Sequence, residues 1–95
     1  MSGVRELTET TVERLGGVRV GIGNVYDDEY ELPDGTTAHG PCAHLVELRG
    51  QDPNPAHVVG RGSVFAVGDA RFEVLEVVPR GGGEGSLTVR ELAGS

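Results

Sequence analysis

Glycine and proline interrupt this chain so often that long helices have little room. The 95 residues include 16 Gly and five Pro, and both residue types disfavour the interior of a helix. Between them lie short runs rich in Val, which are typical of strands joined by tight turns. We therefore predict an all-β fold, a small antiparallel β-barrel or β-sandwich of about six or seven short strands. The length allows one domain, residues 1–95, with a single core.

Two dipeptides predict β-hairpins. Gly16-Gly17 precedes the alternating segment 18–26, so residues 7–15 are expected to form its partner strand. The spacing of apolar residues within 4–15 also suits a short helix, but the β-branched residues there favour a strand. Gly68-Asp69 joins two apolar runs and, with glycine in the first position, predicts a type II′ turn.

The charge balance constrains the partners. Eight positive residues, all Arg, stand against fifteen Asp and Glu, which gives a net charge of −7. Nucleic acids and anionic membranes would repel such a surface, so we expect neither as a partner. A protein partner is expected to be neutral or basic. The absence of Lys also excludes Schiff-base and phosphate-loop lysine chemistry.

Residue usage also suggests a compartment. Arginine as the sole basic residue type besides histidine indicates a bacterium with a GC-rich genome. A single cysteine, Cys42, cannot form an internal disulfide, which is typical of a reducing compartment. The first residues contain no apolar run of the kind that a secretory signal requires. A bacterial cytoplasm is the expectation.

The segment HGPCAH, residues 39–44, is the strongest candidate for a metal site. Cys42 and His44 would project from one side of a strand, and His39 could return across a turn at Gly40-Pro41. His57 or Asp52 could then complete a tetrahedral zinc site. The spacing of these ligands matches no common structural zinc pattern, and a zinc site is therefore the alternative interpretation.

The favoured interpretation of the same segment is a buried strand face. If a strand begins at Cys42, alternation separates two sets of side chains. The set that ends in charges should face solvent, and the other should face the core. Cysteine also packs well as a small apolar residue. The predicted inward set is Cys42, His44, Val46 and Leu48, and the predicted outward set is Ala43, Leu45, Glu47 and Arg49.

Other motifs are weaker. The acidic run 27–31 is typical of a charged edge strand that discourages aggregation, although it could also contact a basic partner or bind Ca²⁺ loosely. The Gly-x-Gly motifs at 21–23 and 60–62 precede no helical pattern, so they indicate tight bends and not a phosphate site. With no nucleophile motif and no orienting acid, we predict no enzyme activity and no cofactor.

The hairpin spanning residues 63–78 is apolar on both faces. Both faces need cover, and a chain of this size is not expected to supply two layers. We therefore expect a homodimer or a hetero-partner over one face, formed by Val64, Ala66, Leu75 and Val77. The predicted function is a non-enzymatic, acidic binding or interaction domain with an accessory role. The alternative is a zinc-binding protein that uses His39, Cys42, His44 and His57.

Overall fold

The structure, a computed structural model, describes residues 3–50 and 53–92. Within these ranges the chain forms eight strands and one 3-10 turn, Gly81–Gly83. None of its described helices is long and apolar enough to cross a membrane. The all-β prediction is confirmed, with more strands than the six or seven expected. The strands are β1 Val4–Thr8, β2 Val12–Leu15, β3 Val18–Glu31, β4 Thr37–Glu47, β5 Ala56–Gly60, β6 Val64–Val67, β7 Ala70–Val78 and β8 Ser86–Glu91.

The strands form two four-stranded antiparallel sheets. One has the order β1-β8-β7-β6 and the other β2-β3-β4-β5. Going round the molecule, the strands follow one another in chain order. The sheets therefore adjoin at two seams, one between β1 and β2 and the other between β5 and β6. No strand pairing crosses either seam in the described ranges.

Apolar side chains from both sheets fill one core. Phe65 and Phe72, opposite each other on β6 and β7, stack with their ring centroids 5.4 Å apart. At one end, the turn at Gly16 lies against the turn at Gly68, so the tips of two hairpins meet and cover that end of the core. The core consists of Leu7, Leu15, Val20, Ile22, Ala43, Leu45, Val59, Phe65, Val67, Phe72, Val74, Val77, Leu87 and Val89.

The first segment is strand and not helix, but it is divided between the two sheets. β1 pairs with β8, and β2 pairs with β3 across the Gly16-Gly17 turn. The chain changes sheet at Thr10, whose φ of 66° is unusual for a β-branched residue. The backbone N–H of Thr10 donates to the carbonyl of Ile22 (2.8 Å). The single strand predicted over residues 7–15 is therefore wrong in extent.

The turn predicted at Gly40-Pro41 is wrong, because both residues lie inside β4. Pro41 is tolerated there for a geometric reason. Alternate residues of β4 direct their N–H groups toward β5, and Pro41 belongs to that set. β5 ends opposite Cys42, so the missing N–H of Pro41 removes no hydrogen bond from the ladder.

The predicted inward face of β4 is also wrong. Ala43, Leu45 and Glu47 are buried, whereas His44 and Val46 are half-buried. Leu48, the fourth residue of the predicted inward set, is 37% exposed. The prediction assumed that charged residues identify the solvent-facing side of the strand, but Glu47 is a charged residue that is buried.

A β-bulge changes the faces of β7. The register shifts between Val74 and Glu76, which places Leu75 as an extra residue and reverses the alternation after it. Val77 consequently lies in the core at 8% exposure, and its predicted place on a common outward face is wrong. Among the other members of that face, Val64 and Leu75 are half-buried and Ala66 is exposed.

Candidate binding groove between two edge strands

The two seams between the sheets are closed to different degrees. The β1–β2 seam is bridged by the side chain of Arg5. Its guanidinium donates to the carbonyl oxygen of Arg14 (2.8 Å) and to the carboxylate of Glu13 (3.1 Å). This side chain joins the facing edges of β1 and β2.

The β5–β6 seam is closed only at its turn. Ser63 N–H donates to the carbonyl of Gly60 (2.9 Å), and Gly60 N–H donates to the Ser63 hydroxyl (3.1 Å). That hydroxyl in turn donates to the carbonyl of Glu31 at the end of β3 (2.9 Å). Apart from these bonds at the turn, no hydrogen bond joins β5 to β6 in the part of the chain that the structure describes.

The hydrogen-bond pattern of β5 shows which backbone groups face this seam. Glu47 N–H donates to the carbonyl of Pro55 (2.8 Å). Counting from Pro55, every second residue of β5 therefore forms a hydrogen-bonded pair with β4. His57 and Val59 therefore direct their N–H and C=O groups toward β4. Ala56 and Val58 direct theirs away from the sheet, toward β6.

β6 presents its backbone in the same way from the opposite side. Val74 N–H donates to the carbonyl of Ser63 (2.9 Å), so Phe65 and Val67 are the residues that bond to β7. Val64 and Ala66 direct their N–H and C=O groups toward β5. Two rows of outward-facing backbone groups thus border a single gap, which we call the β5–β6 groove.

The groove has apolar side chains at its floor, and its lining also includes Glu31, His57 and Ser63. It is a depression of about 420 Å³ lined by residues of both edges. Phe65 and Val59 are nearly fully buried beneath it, at 5% and 3% exposure. The ring of His57 lies across the seam from Phe65, with the centroids 5.9 Å apart. Val58 stands at the edge, with 39% of its surface exposed.

A buried carboxylate fixes the His57 ring. Nε2 of His57 lies 2.7 Å from Glu47 Oε2, and the Nε–H of Arg49 donates to Glu47 Oε1 (2.7 Å). The hydrogen bond with His57 is the main reason that the pKa of Glu47 lies below its ordinary value, while burial acts in the opposite direction. The three side chains hold one wall of the groove in place.

The rim of the groove is acidic at one end. Glu31 lines the groove and also a second depression of about 320 Å³ beside it, which Glu29, Tyr30, Thr37 and Val58 complete. Glu29 and Glu31 are exposed. Neither forms an ion pair with any residue that the structure describes. Val58 therefore lies between an apolar floor and two carboxylates without a counter-charge.

The predicted zinc ligands occupy separate positions. Cys42 and His44 share one face of β4. His39 lies three residues before Cys42 on the same continuous strand, on the other face and roughly 10 Å away. His57 is opposite Leu45 on β5, so its side chain is on the other face from that of His44. Across the described ranges no three His, Cys, Asp or Glu side chains are close enough to hold a metal ion, and Asp52 lies outside those ranges.

Burial of Cys42 is confirmed, but its surroundings differ from the prediction. The side chain is fully buried yet lies outside the main core cluster. Its neighbours across the sheet are Tyr26 on β3 and Gly60 on β5. Burial is the main reason that the pKa of its thiol is raised, and Asp28 adds to the effect. A raised pKa keeps the thiol protonated and unreactive near neutral pH.

Comparison with known proteins identifies no relative. No family model, curated protein sequence or solved structure matches this chain. The geometry of the groove is therefore the basis on which a function can be inferred.

Sequence reasoning assigned no strand to residues 56–60 and so missed half of the groove. A signal was present, since the short run from Ala56 to Val59 contains two β-branched residues and is bounded by Pro55 and Gly60. Val64 and Ala66 were predicted as interface residues because of their apolar side chains. The structure places them on the edge strand β6, with their backbone groups directed into the gap.

Proposed function

We propose that this chain is a non-enzymatic interaction domain that binds an extended segment of a partner protein in the β5–β6 groove. The observation that carries the proposal is the pair of edge strands that border one apolar-floored gap. Along the two described edges, the backbone N–H and C=O groups that face the groove lack strand partners. An added strand supplies them along its whole length, while alternate side chains fill the floor.

The proposal favours a partner segment over a second copy of the chain. Two copies would each bring a net charge of −7 and would place their acidic rims close together. The exclusive use of Arg and the single buried Cys42 support a bacterial cytoplasm as the compartment of this interaction.

A displayed library of random nine-residue peptides provides the first test. Val58→Pro removes an N–H group that faces the groove, and proline is tolerated on a strand edge whose N–H group points outward. We expect the selected peptides to bind the unaltered protein and to lose binding to Val58→Pro. Val12→Pro is the matched control, because it places proline at the exposed start of β2, beside the other seam.

Circular dichroism must show that both variants are folded. Peptides that bind Val58→Pro as tightly as the unaltered protein would place their site elsewhere and would contradict the proposal. Light scattering provides a separate check on the occupant of the groove. A dimer of the unaltered protein that dissociates in Val58→Pro would identify a second copy, and not a partner segment, as that occupant.

A further inference from the structure

We infer that the segment bound in the β5–β6 groove is basic, with Lys or Arg at alternate positions and apolar residues between them. This inference rests on the proposed function and adds the chemistry of the partner. It begins from the geometry of strand addition, in which successive side chains of the added strand point to opposite faces. One set of its side chains enters the groove, and the other set lies on the outer face beside Val58.

The two environments differ in some of the side chains that border them. Side chains that enter the groove meet Phe65 and Val59, which are apolar and nearly buried. Side chains on the outer face pass Val58, which borders both the groove and the second depression that Glu29 and Glu31 line. An alternating apolar and basic segment matches both environments at once, whereas an acidic segment would place like charges side by side.

The acidic rim is free to accept such charges. The described Arg side chains that form ion pairs do so with Glu13, Glu47 and Glu73, and none pairs with Glu29 or Glu31. The net charge of −7 acts in the same direction, because it raises the rate at which a cationic segment encounters the protein. Lys or Arg on the partner would supply the missing counter-charge.

The tightest peptide selected by its dependence on Val58 tests the inference. We expect it to carry Lys or Arg at every second position, and we expect replacement of those residues by Gln to weaken binding about tenfold, since each of two exposed ion pairs changes affinity about threefold. The double variant Glu29→Gln with Glu31→Gln should weaken the basic peptide by the same factor. It should leave the affinity for the Gln peptide unchanged.

The control is the double variant Asp27→Asn with Asp28→Asn, which removes the same charge from the same hairpin but away from both depressions. We expect it to weaken the basic peptide less than about threefold, through long-range attraction alone. Equal losses in the two double variants would show that net charge, and not the rim, selects the partner. That result would overturn the inference.

The outcomes also separate the inference from the proposed function. Selected peptides that depend on Val58 but are neutral or acidic would overturn the basic partner and leave strand addition standing. A selection that yields no Val58-dependent peptide would overturn both.

Discussion

Glu47 is buried with its charge because two side chains meet its carboxylate. One carboxylate oxygen lies 2.7 Å from His57 Nε2, and the other accepts a hydrogen bond from Arg49 Nε at 2.7 Å. These contacts compensate for the lost hydration of the carboxylate. Its position in the sequence, next to the exposed Leu48, gives no sign of this, because the compensating His57 comes from another strand. The burial of Glu47 is therefore determined by His57 on the neighbouring strand.

The stability of the protein should depend on the ionisation of Glu47. Its folded pKa is lowered, mainly by the hydrogen bond with His57, so its contribution is present above the ordinary Glu pKa of about 4.3 and is lost as pH falls through the folded value. We predict that Glu47→Gln lowers the free energy of unfolding at pH 7 by about 1–3 kcal/mol. The difference from the unaltered protein should narrow in acid.

Urea denaturation from pH 7 to pH 3 measures this effect. Glu13→Gln is the control, because Glu13 forms a partly exposed ion pair with Arg5 and should change stability by less than about 1 kcal/mol. A gap between Glu47→Gln and the unaltered protein that is constant over the whole pH range would contradict the prediction.

At the scale of elements, the sequence predicts turns better than faces. Both glycine-containing hairpins form where expected, because Gly16, Gly17 and Gly68 all have positive φ, which glycine adopts without strain. The faces of β7 could not be predicted, because the bulge at Leu75 has no marker in the local sequence. Pro41 was taken as a turn, since its tolerance depends on where β5 ends, and that is a property of the neighbouring strand.

The bulge predicts different tolerances for two nearby apolar positions. Val77→Glu places a charge in the core and should lower the free energy of unfolding by about 3–5 kcal/mol. Leu75→Glu, at the half-buried bulge position, should change it by less than about 1 kcal/mol. Thermal or urea denaturation distinguishes them. Equal losses at both positions would mean that the alternation continues through residue 75 without a bulge.

At the scale of the whole molecule, two seams separate the sheets. Among the described residues, the Arg5 side chain bridges the β1–β2 seam between the strands, whereas the Ser63 side chain joins the β5–β6 seam only at its turn. The covered end of the core depends on contact between the two hairpin tips. A Cβ atom at Gly16 would clash with the carbonyl oxygen of Val67, whereas a Cβ at Gly17 would meet nothing within 4 Å. Both glycines have positive φ, so they differ chiefly in this contact.

Gly16→Ala and Gly17→Ala therefore form a matched pair. Each substitution places alanine at positive φ, which costs about 1–2 kcal/mol. Gly16→Ala must also separate the two tips, and we predict an additional loss of about 1–3 kcal/mol in the free energy of unfolding. Denaturation of both variants under one set of conditions gives the difference. No difference would show that the hairpin tips do not meet in solution.

The open β5–β6 groove is the central feature of the molecule, and amide hydrogen exchange of the free protein measures it directly. Backbone N–H groups bonded inside a sheet exchange slowly, and those directed into an open gap exchange quickly. An open groove predicts fast exchange at Val58, Val64 and Ala66, and slow exchange at the intervening His57, Val59 and Phe65. Exchange at Val58, Val64 and Ala66 as slow as at their neighbours would show that the gap is already filled and would contradict an open groove.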